Sequence, residues 1–172
     1  VGKLEAGEPV GVITGRALSK IFENIIKPIR EMVKDKNRLS LFHVEGEFGA
    51  VSVNFQNGEE TIFYDKAFTM PQELVTKGKQ IIYEFRDIVF FDQKKSFFTA
   101  EMKKDGDISV FKKRQPEIAK KLQKLVNEFG MSDSLEIHQD TIAVNVKNKR
   151  LNKHLATQNF LLWLDRINIQ PE

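Results

Sequence analysis

A chain of 172 residues, 41% hydrophobic and 30% charged, is long enough to bury well over half of its unfolded surface and too apolar for the disordered class. The absence of cysteine excludes disulfides, thiolate zinc sites, iron–sulfur clusters and cysteine nucleophiles, and no apolar run approaches the roughly 18 residues of a membrane span. The formal net charge of +3 is unevenly shared: residues 1–92 carry 12 basic against 14 acidic side chains, residues 93–172 carry 15 against 10.

The opening "VGKLEAGEPVGVITG" sets Gly7, Gly11 and Gly15 ahead of a helix but lacks the Gly-Lys-Ser/Thr of a P-loop and the GxGxxG of a dinucleotide fold, so residues 1–15 are expected to be a flexible lead-in. Leu18, Ile21, Phe22, Ile25, Ile29, Met32 and Val33 recur at helical spacing over 16–34. Pro28 predicts a kink near Asn24 to Lys27. Three strands follow within "RLSLFHVEGEFGAVSVNFQNGEETIFYD". Val51, Val53 and Phe55 alternate with polar residues, and Asn57-Gly58 is the signal for a tight hairpin, because both turn positions need positive φ.

Thr69, Pro71 and Gly78 predict a short helix with Gly78 as its stop. A second meander is expected at 80–91, 96–103 and 107–113, its last turn at Asp105-Gly106. Pro116 is expected to open a helix that Gly130 ends, with Ile118, Leu122, Leu125, Val126 and Phe129 on its apolar stripe. Strands near 135–138 and 141–147 lead to a last helix with Ala156, Phe160, Trp163, Leu164 and Ile167 on one face. Grouped rather than alternating elements predict an α+β fold: a single domain over 16–172 whose antiparallel sheet comprises two three-stranded meanders and a late strand pair, flanked by a kinked N-terminal helix and two C-terminal helices.

Lys112, Lys113, Arg114, Lys120, Lys121 and Lys124 lie in or beside one helix, and Lys147, Lys149, Arg150 and Lys153 form a second basic group. A shared patch would neutralise phosphates and release counterions, so the first functional reading is a non-catalytic domain binding the backbone of DNA or RNA. Specific base reading is not expected: the clusters are rich in Lys rather than Arg, and Phe97, Phe98 and Phe111 sit at strand positions that core packing explains. The alternative is a protein-interaction module of chaperone, adaptor or immunity type, with "FLLWL" as contact surface.

A third reading is enzymatic. Asp92, Glu101 and Lys103 in "VFFDQKKSFFTAEMK" resemble the minimal motif of PD-(D/E)xK nucleases, which implies two carboxylates holding a divalent metal beside an activating lysine. A cross-strand salt bridge accounts for the same residues. His43 and Glu45 form an HxE without the cysteines that a zinc deaminase needs, and no spacing joins His43, His138 and His154 into an acid–base site. No cofactor is expected and no metal site is assigned. The partners expected are DNA or RNA, or another protein, without a membrane, in an intracellular setting (cytoplasm, nucleoid or nucleus), and the start at Val1 is read as a piece of a longer chain.

Overall fold

Two four-stranded sheets, each with its own hydrophobic core, organise the computed structural model, which describes residues 1–168. Val1–Lys66 and the described residues from Arg150 to Asn168 form one unit, and Ala67–Lys149 form a second unit inserted in sequence between them. The first unit runs α1 (Gly2–Glu5), β1 (Val10–Ile13), α2 (Leu18–Ile21), a π-helical turn (Phe22–Ile26), α3 (Lys27–Met32), β2 (Phe42–Gly46), β3 (Val51–Gln56) and β4 (Glu59–Tyr64). The second holds α4 (Gln72–Tyr83), β5 (Val89–Gln93), β6 (Phe97–Met102), α5 (Ile108–Glu128), β7 (Leu135–Gln139) and β8 (Ala143–Asn148), after which α6 (Lys153–Arg166) returns to the first. The α+β class stands, with antiparallel pairing in all but one strand pair.

In the first unit the strand order is β1-β2-β3-β4, and β1 runs parallel to β2 from Val10↔Phe42 to Ile13↔Glu45. Residues 1–15 are therefore not a featureless lead-in: they hold α1 and β1. The reason lies far along the chain, because the four residues of β1 are ordered by pairing with a strand about thirty positions away. The helix expected over 16–34 is present, and the disturbance expected from Pro28 is present as the π turn immediately before α3. A wider turn accommodates a position without a backbone donor. Asn57 and Gly58 take φ of 52° and 80°, which makes the β3–β4 connection the expected hairpin.

In the second unit the order β5-β6-β8-β7 is antiparallel throughout. The strand expected at 107–113 is helical, and of that expected at 80–91 only residues 89–91 are strand, in β5. Residues 80–83 continue α4, because Leu74, Val75, Gly78 and Ile82 keep the 3.6-residue stripe that buries against the sheet. Gly78 does not stop the helix: a Cβ there would meet the Phe98 ring at 2.4 Å, so the glycine permits close packing of α4 on β6. Residues 108–113 begin α5, not a strand. Asp107 caps it by accepting from the Ser109 N–H at 2.6 Å, and buried Phe111, Gln115, Ile118 and Leu122 follow helical spacing through Pro116.

Candidate functional site

The carboxyl ends of β1 and β2 form an edge at which three segments meet. Thr14 prolongs β1 by donating its N–H to the Glu45 carbonyl at 2.8 Å. Its Oγ1 accepts the Arg16 N–H at 3.2 Å. Facing this loop, Glu47 and Phe48 donate their N–H groups to the carbonyls of Arg16 and Thr14 at 3.3 and 3.2 Å. Glu47, Phe48 and Gly49 take successive positive φ of 49°, 58° and 99°. A Cβ on Gly49 would lie 3.0 Å from the Ala156 nitrogen, so this turn abuts the start of α6.

The helix then runs back along the strands: a Cβ at Gly11 would strike the Phe160 ring at 2.2 Å, and Trp163 stacks on His43 with centroids 4.8 Å apart. The N-terminus of α6 consequently sits at the same edge as Thr14. Asn152 caps it, accepting the Leu155 N–H at 2.9 Å. No acidic residue occupies its first turn, and Lys153 there is exposed with no ion pair among the described residues. A cation at a helix N-terminus opposes the dipole, whereas an anion at that point is favoured.

Beneath the edge lies a buried polar network. His43 Nε2 lies 2.6 Å from Glu45 Oε1, which also accepts from Ser52 Oγ at 2.7 Å. Asn159 Nδ2 donates to Glu45 Oε2 at 3.2 Å and to the Gly49 carbonyl at 3.0 Å, tying α6 to the positive-φ turn. His43 Nδ1 faces the Asn54 side-chain oxygen at 2.5 Å. A cavity of about 220 Å³ adjoins the network, with Asn54, Asn159, Trp163 and Arg166 among its walls. The HxE pair is thus a structural brace on β2. His138 and His154 lie exposed on β7 and α6.

The basic residues do not make one free field. Among those on α5, Arg114 pairs with Asp87 at 2.8 Å, Lys121 with Glu84 at 2.5 Å and Lys124 with Glu128 at 3.7 Å. Lys112 donates to Gln115 and to the Asp140 carbonyl at 3.0 and 2.9 Å. Lys147 is only 6% exposed and pairs with Glu136 at 2.5 Å, and Lys149 donates to the Ser132 carbonyl at 2.8 Å. Lys113 and Lys120 are exposed on α5, while Arg150 and Lys153 belong to the other unit.

Asp92 and Glu101 share one face of the β5–β6 pair, through the registers Asp92↔Thr99 and Phe90↔Glu101. The lysine beside them is Lys94, 2.6 Å from Asp92. Lys103 lies beyond the end of β6 and lines a separate depression with Glu84, Arg86, Asp87 and Arg114, so the nuclease-like triplet is not assembled. Among the described residues no group of three or more His, Asp or Glu could hold a metal ion.

Burial foremost, then the charge of Asp92 and more weakly that of Asp140, raises the Glu101 carboxyl above its ordinary value, with Lys94 opposing. The folded chain therefore holds the extra proton at intermediate pH, and stability falls as pH rises through the raised value. Glu101→Gln is expected to raise the melting temperature near about pH 7 and to lose that advantage near about pH 4, below both folded and unfolded values. Thermal melts at the two pH values check this, and a lower melting temperature for the variant at the higher pH contradicts it.

Sequence reasoning did not bring together the residues at the β1–β2 edge. Gly15 and Lys153 were noticed only as part of a glycine-rich opening and of a basic group, and Thr14 only as the end of the short apolar stretch that begins at Val10; Phe48 and Asn159 left no trace.

No family model matches the chain. In sequence it is similar to the antigenic heat-stable 120 kDa protein of Rickettsia felis, 30% identical over 88 residues, which are 51% of this chain and 8% of that protein. In fold it is similar to the C-terminal domain of C. albicans trehalose-6-phosphate phosphatase, with TM-score 0.62 and 15% identity over 93% of this chain and 51% of that one. It is also similar to ATP-bound Plasmodium falciparum IMP-nucleotidase, with TM-score 0.57 and 11% identity over 94% of this chain and 42% of that one. The chain thus spans about half the length of these solved structures. The expectation of a non-catalytic nucleic-acid-binding domain is corrected by this likeness, since the fold is shared with a trehalose-6-phosphate phosphatase domain and an IMP-nucleotidase, and the ion pairs of α5 and burial of Lys147 remove the shared cationic patch on which it stood. Among the described residues no helix is long and apolar enough to cross a membrane.

Proposed function

We propose that the chain is the phosphate-recognising part of an enzyme acting on small phosphate monoesters. The observation that carries this reading is the first turn of α6, where Lys153 stands in place of an acidic residue at the carboxyl edge of β1 and β2. Ligands of open α/β sheets collect outside the carboxyl ends of parallel strands, and a helix N-terminus favours an anion there. A position that violates the dipole rule without an ion partner is a place to look for function. The likeness in fold to a trehalose-6-phosphate phosphatase domain and to an IMP-nucleotidase supports the same direction by analogy.

The chemistry asked of these residues is to bind and orient. Because Thr14 Oγ1 already accepts the Arg16 N–H, its own proton is available to a phosphate oxygen. Lys153 would supply charge, and the uncovered amides of the first turn of α6 would supply further donors. In phosphoryl transfer such positioning and charge stabilisation are the protein's main contribution.

Titration of the 172-residue chain with inorganic phosphate is expected to shift the amide resonances of residues 14–17 and 152–155. Lys153→Ala should weaken binding about tenfold, the equivalent of one charge-assisted hydrogen bond. Folding should not suffer, since the substitution removes a cation from the positive end of the dipole. Absence of shifts at these amides, or equal affinity in the variant, removes the reading.

A further inference from the structure

We propose that Phe48 is a positioning residue that holds the Thr14–Arg16 loop with the N–H groups of Gly15 and Ala17 turned toward the bound phosphate; the inference rests on the phosphate reading above. Two consecutive non-glycine residues at φ of 49° and 58° are unusual, and a bulky aromatic side chain at such a position more so. Strain of this kind persists only where the surroundings over-determine it, and it collects at functional sites.

The surroundings here are explicit. The left-handed backbone aims two successive N–H groups at one loop, Glu47 to the Arg16 carbonyl and Phe48 to the Thr14 carbonyl. The Phe48 ring lies directly on Gly15, where a Cβ would be 2.4 Å from it, so only glycine fits under the ring. From behind, Asn159 holds the Gly49 carbonyl at 3.0 Å.

The consequence follows from peptide geometry. A trans peptide points its C=O and its N–H in opposite directions. With the carbonyls of Thr14 and Arg16 drawn into the 47–48 turn, the N–H groups of Gly15 and Ala17 point away from it. Neither has a partner among the described residues. Two backbone donors one residue apart in the same loop, on either side of the engaged Arg16 N–H, are left to hydrogen-bond an anion, and the Thr14 hydroxyl proton adds to them. Phe48 acts through this loop and need not touch the ligand.

The test compares Phe48→Gly, which adopts positive φ without strain but lacks the ring, with Phe48→Tyr, which keeps the ring. In the absence of phosphate, Phe48→Gly is expected to shift the Gly15 and Ala17 amide resonances and to speed hydrogen exchange at residues 47 and 48, with Trp163 fluorescence still native. With phosphate it should bind at least about tenfold more weakly, while Phe48→Tyr behaves as wild type. If the phosphate-free amides of Phe48→Gly match wild type, the clamp is overturned whatever phosphate does. A clamp that loosens as expected in a wild-type chain that binds no phosphate overturns the phosphate reading, and with it the role assigned to Phe48. Should Phe48→Gly fail to fold, Phe48→Leu takes its place, with the same outcomes deciding.

Discussion

Glu45→Ala is expected to destabilise the first unit by about 3–5 kcal/mol, the loss typical of breaking a buried ion or hydrogen-bond pair from one side. Glu45 is 0% exposed and serves three partners, His43 Nε2, Ser52 Oγ and Asn159 Nδ2. Removing the carboxylate takes the acceptor from three donors, at about 1–3 kcal/mol for each bond left unmade. The effect reaches the candidate site, because Asn159 also holds Gly49 and so the turn beside Thr14. Trp163 is the single tryptophan, stacks on His43 and is 6% exposed, so its fluorescence in urea reports this unit. Glu45→Gln retains an acceptor for His43 and Ser52 but turns an amide donor toward Asn159, and should lose about 1–2 kcal/mol. A loss below about 1 kcal/mol for Glu45→Ala would show that the network does not brace α6.

Phe98→Ala should cost the second unit about 3–5 kcal/mol, as a large aromatic deleted from a packed core. Its ring is 0% exposed, lies under Gly78 of α4 and packs against Phe91 at 5.8 Å between centroids. Gly78→Ala opposes two effects: a gain of about 1 kcal/mol in helix propensity and an overpacking cost of about 1–3 kcal/mol where the new methyl meets the ring. In Phe98→Ala the methyl has room, so the double variant should be more stable than the sum of the two single changes by more than about 0.5 kcal/mol. Urea unfolding followed by circular dichroism measures all four corners of the cycle. Strict additivity would mean that α4 moves off the sheet at no cost, contrary to the close approach seen at Gly78.

Much of this fold was legible in the residues. The kink before Pro28, the Asn57-Gly58 hairpin, β6 and α6 are all local: each is declared by a φ requirement, a missing donor or a periodicity carried by neighbours in sequence. Two errors in the second unit were also local in origin. "QIIYEF" and "SVFKK" hold apolar pairs that suit a strand when taken in short windows, yet Gly78, Ile82 and Phe85, and likewise Phe111, Gln115 and Ile118, keep helical spacing when followed further. Pro116 misled because proline is commonest at a helix start, whereas α5 carries it in its interior.

The candidate site was not legible, and Thr14, Phe48, Asn159 and Lys153 explain why. Thr14 acquires a role only when β1 pairs in parallel with β2, and Asn159 reaches Glu45 across 114 positions and Gly49 across 110. Lys153 drew notice merely as one of many cations; its value lies in standing without an ion partner while Arg114, Lys121 and Lys147 are neutralised.

The amino-acid order by itself determined the α+β class, the helix stripes, the hairpin and the excess of basic residues after position 92, because these depend on spacing and on the conformational limits of single residues. Tertiary structure decided that the strands divide between two sheets, that three of the six cations of α5 meet carboxylates, and that a threonine, a strained turn and a helix N-terminus share one edge. Pairings between distant segments carry no local signature, since each partner's backbone presents the same donors and acceptors until burial selects which of them meet.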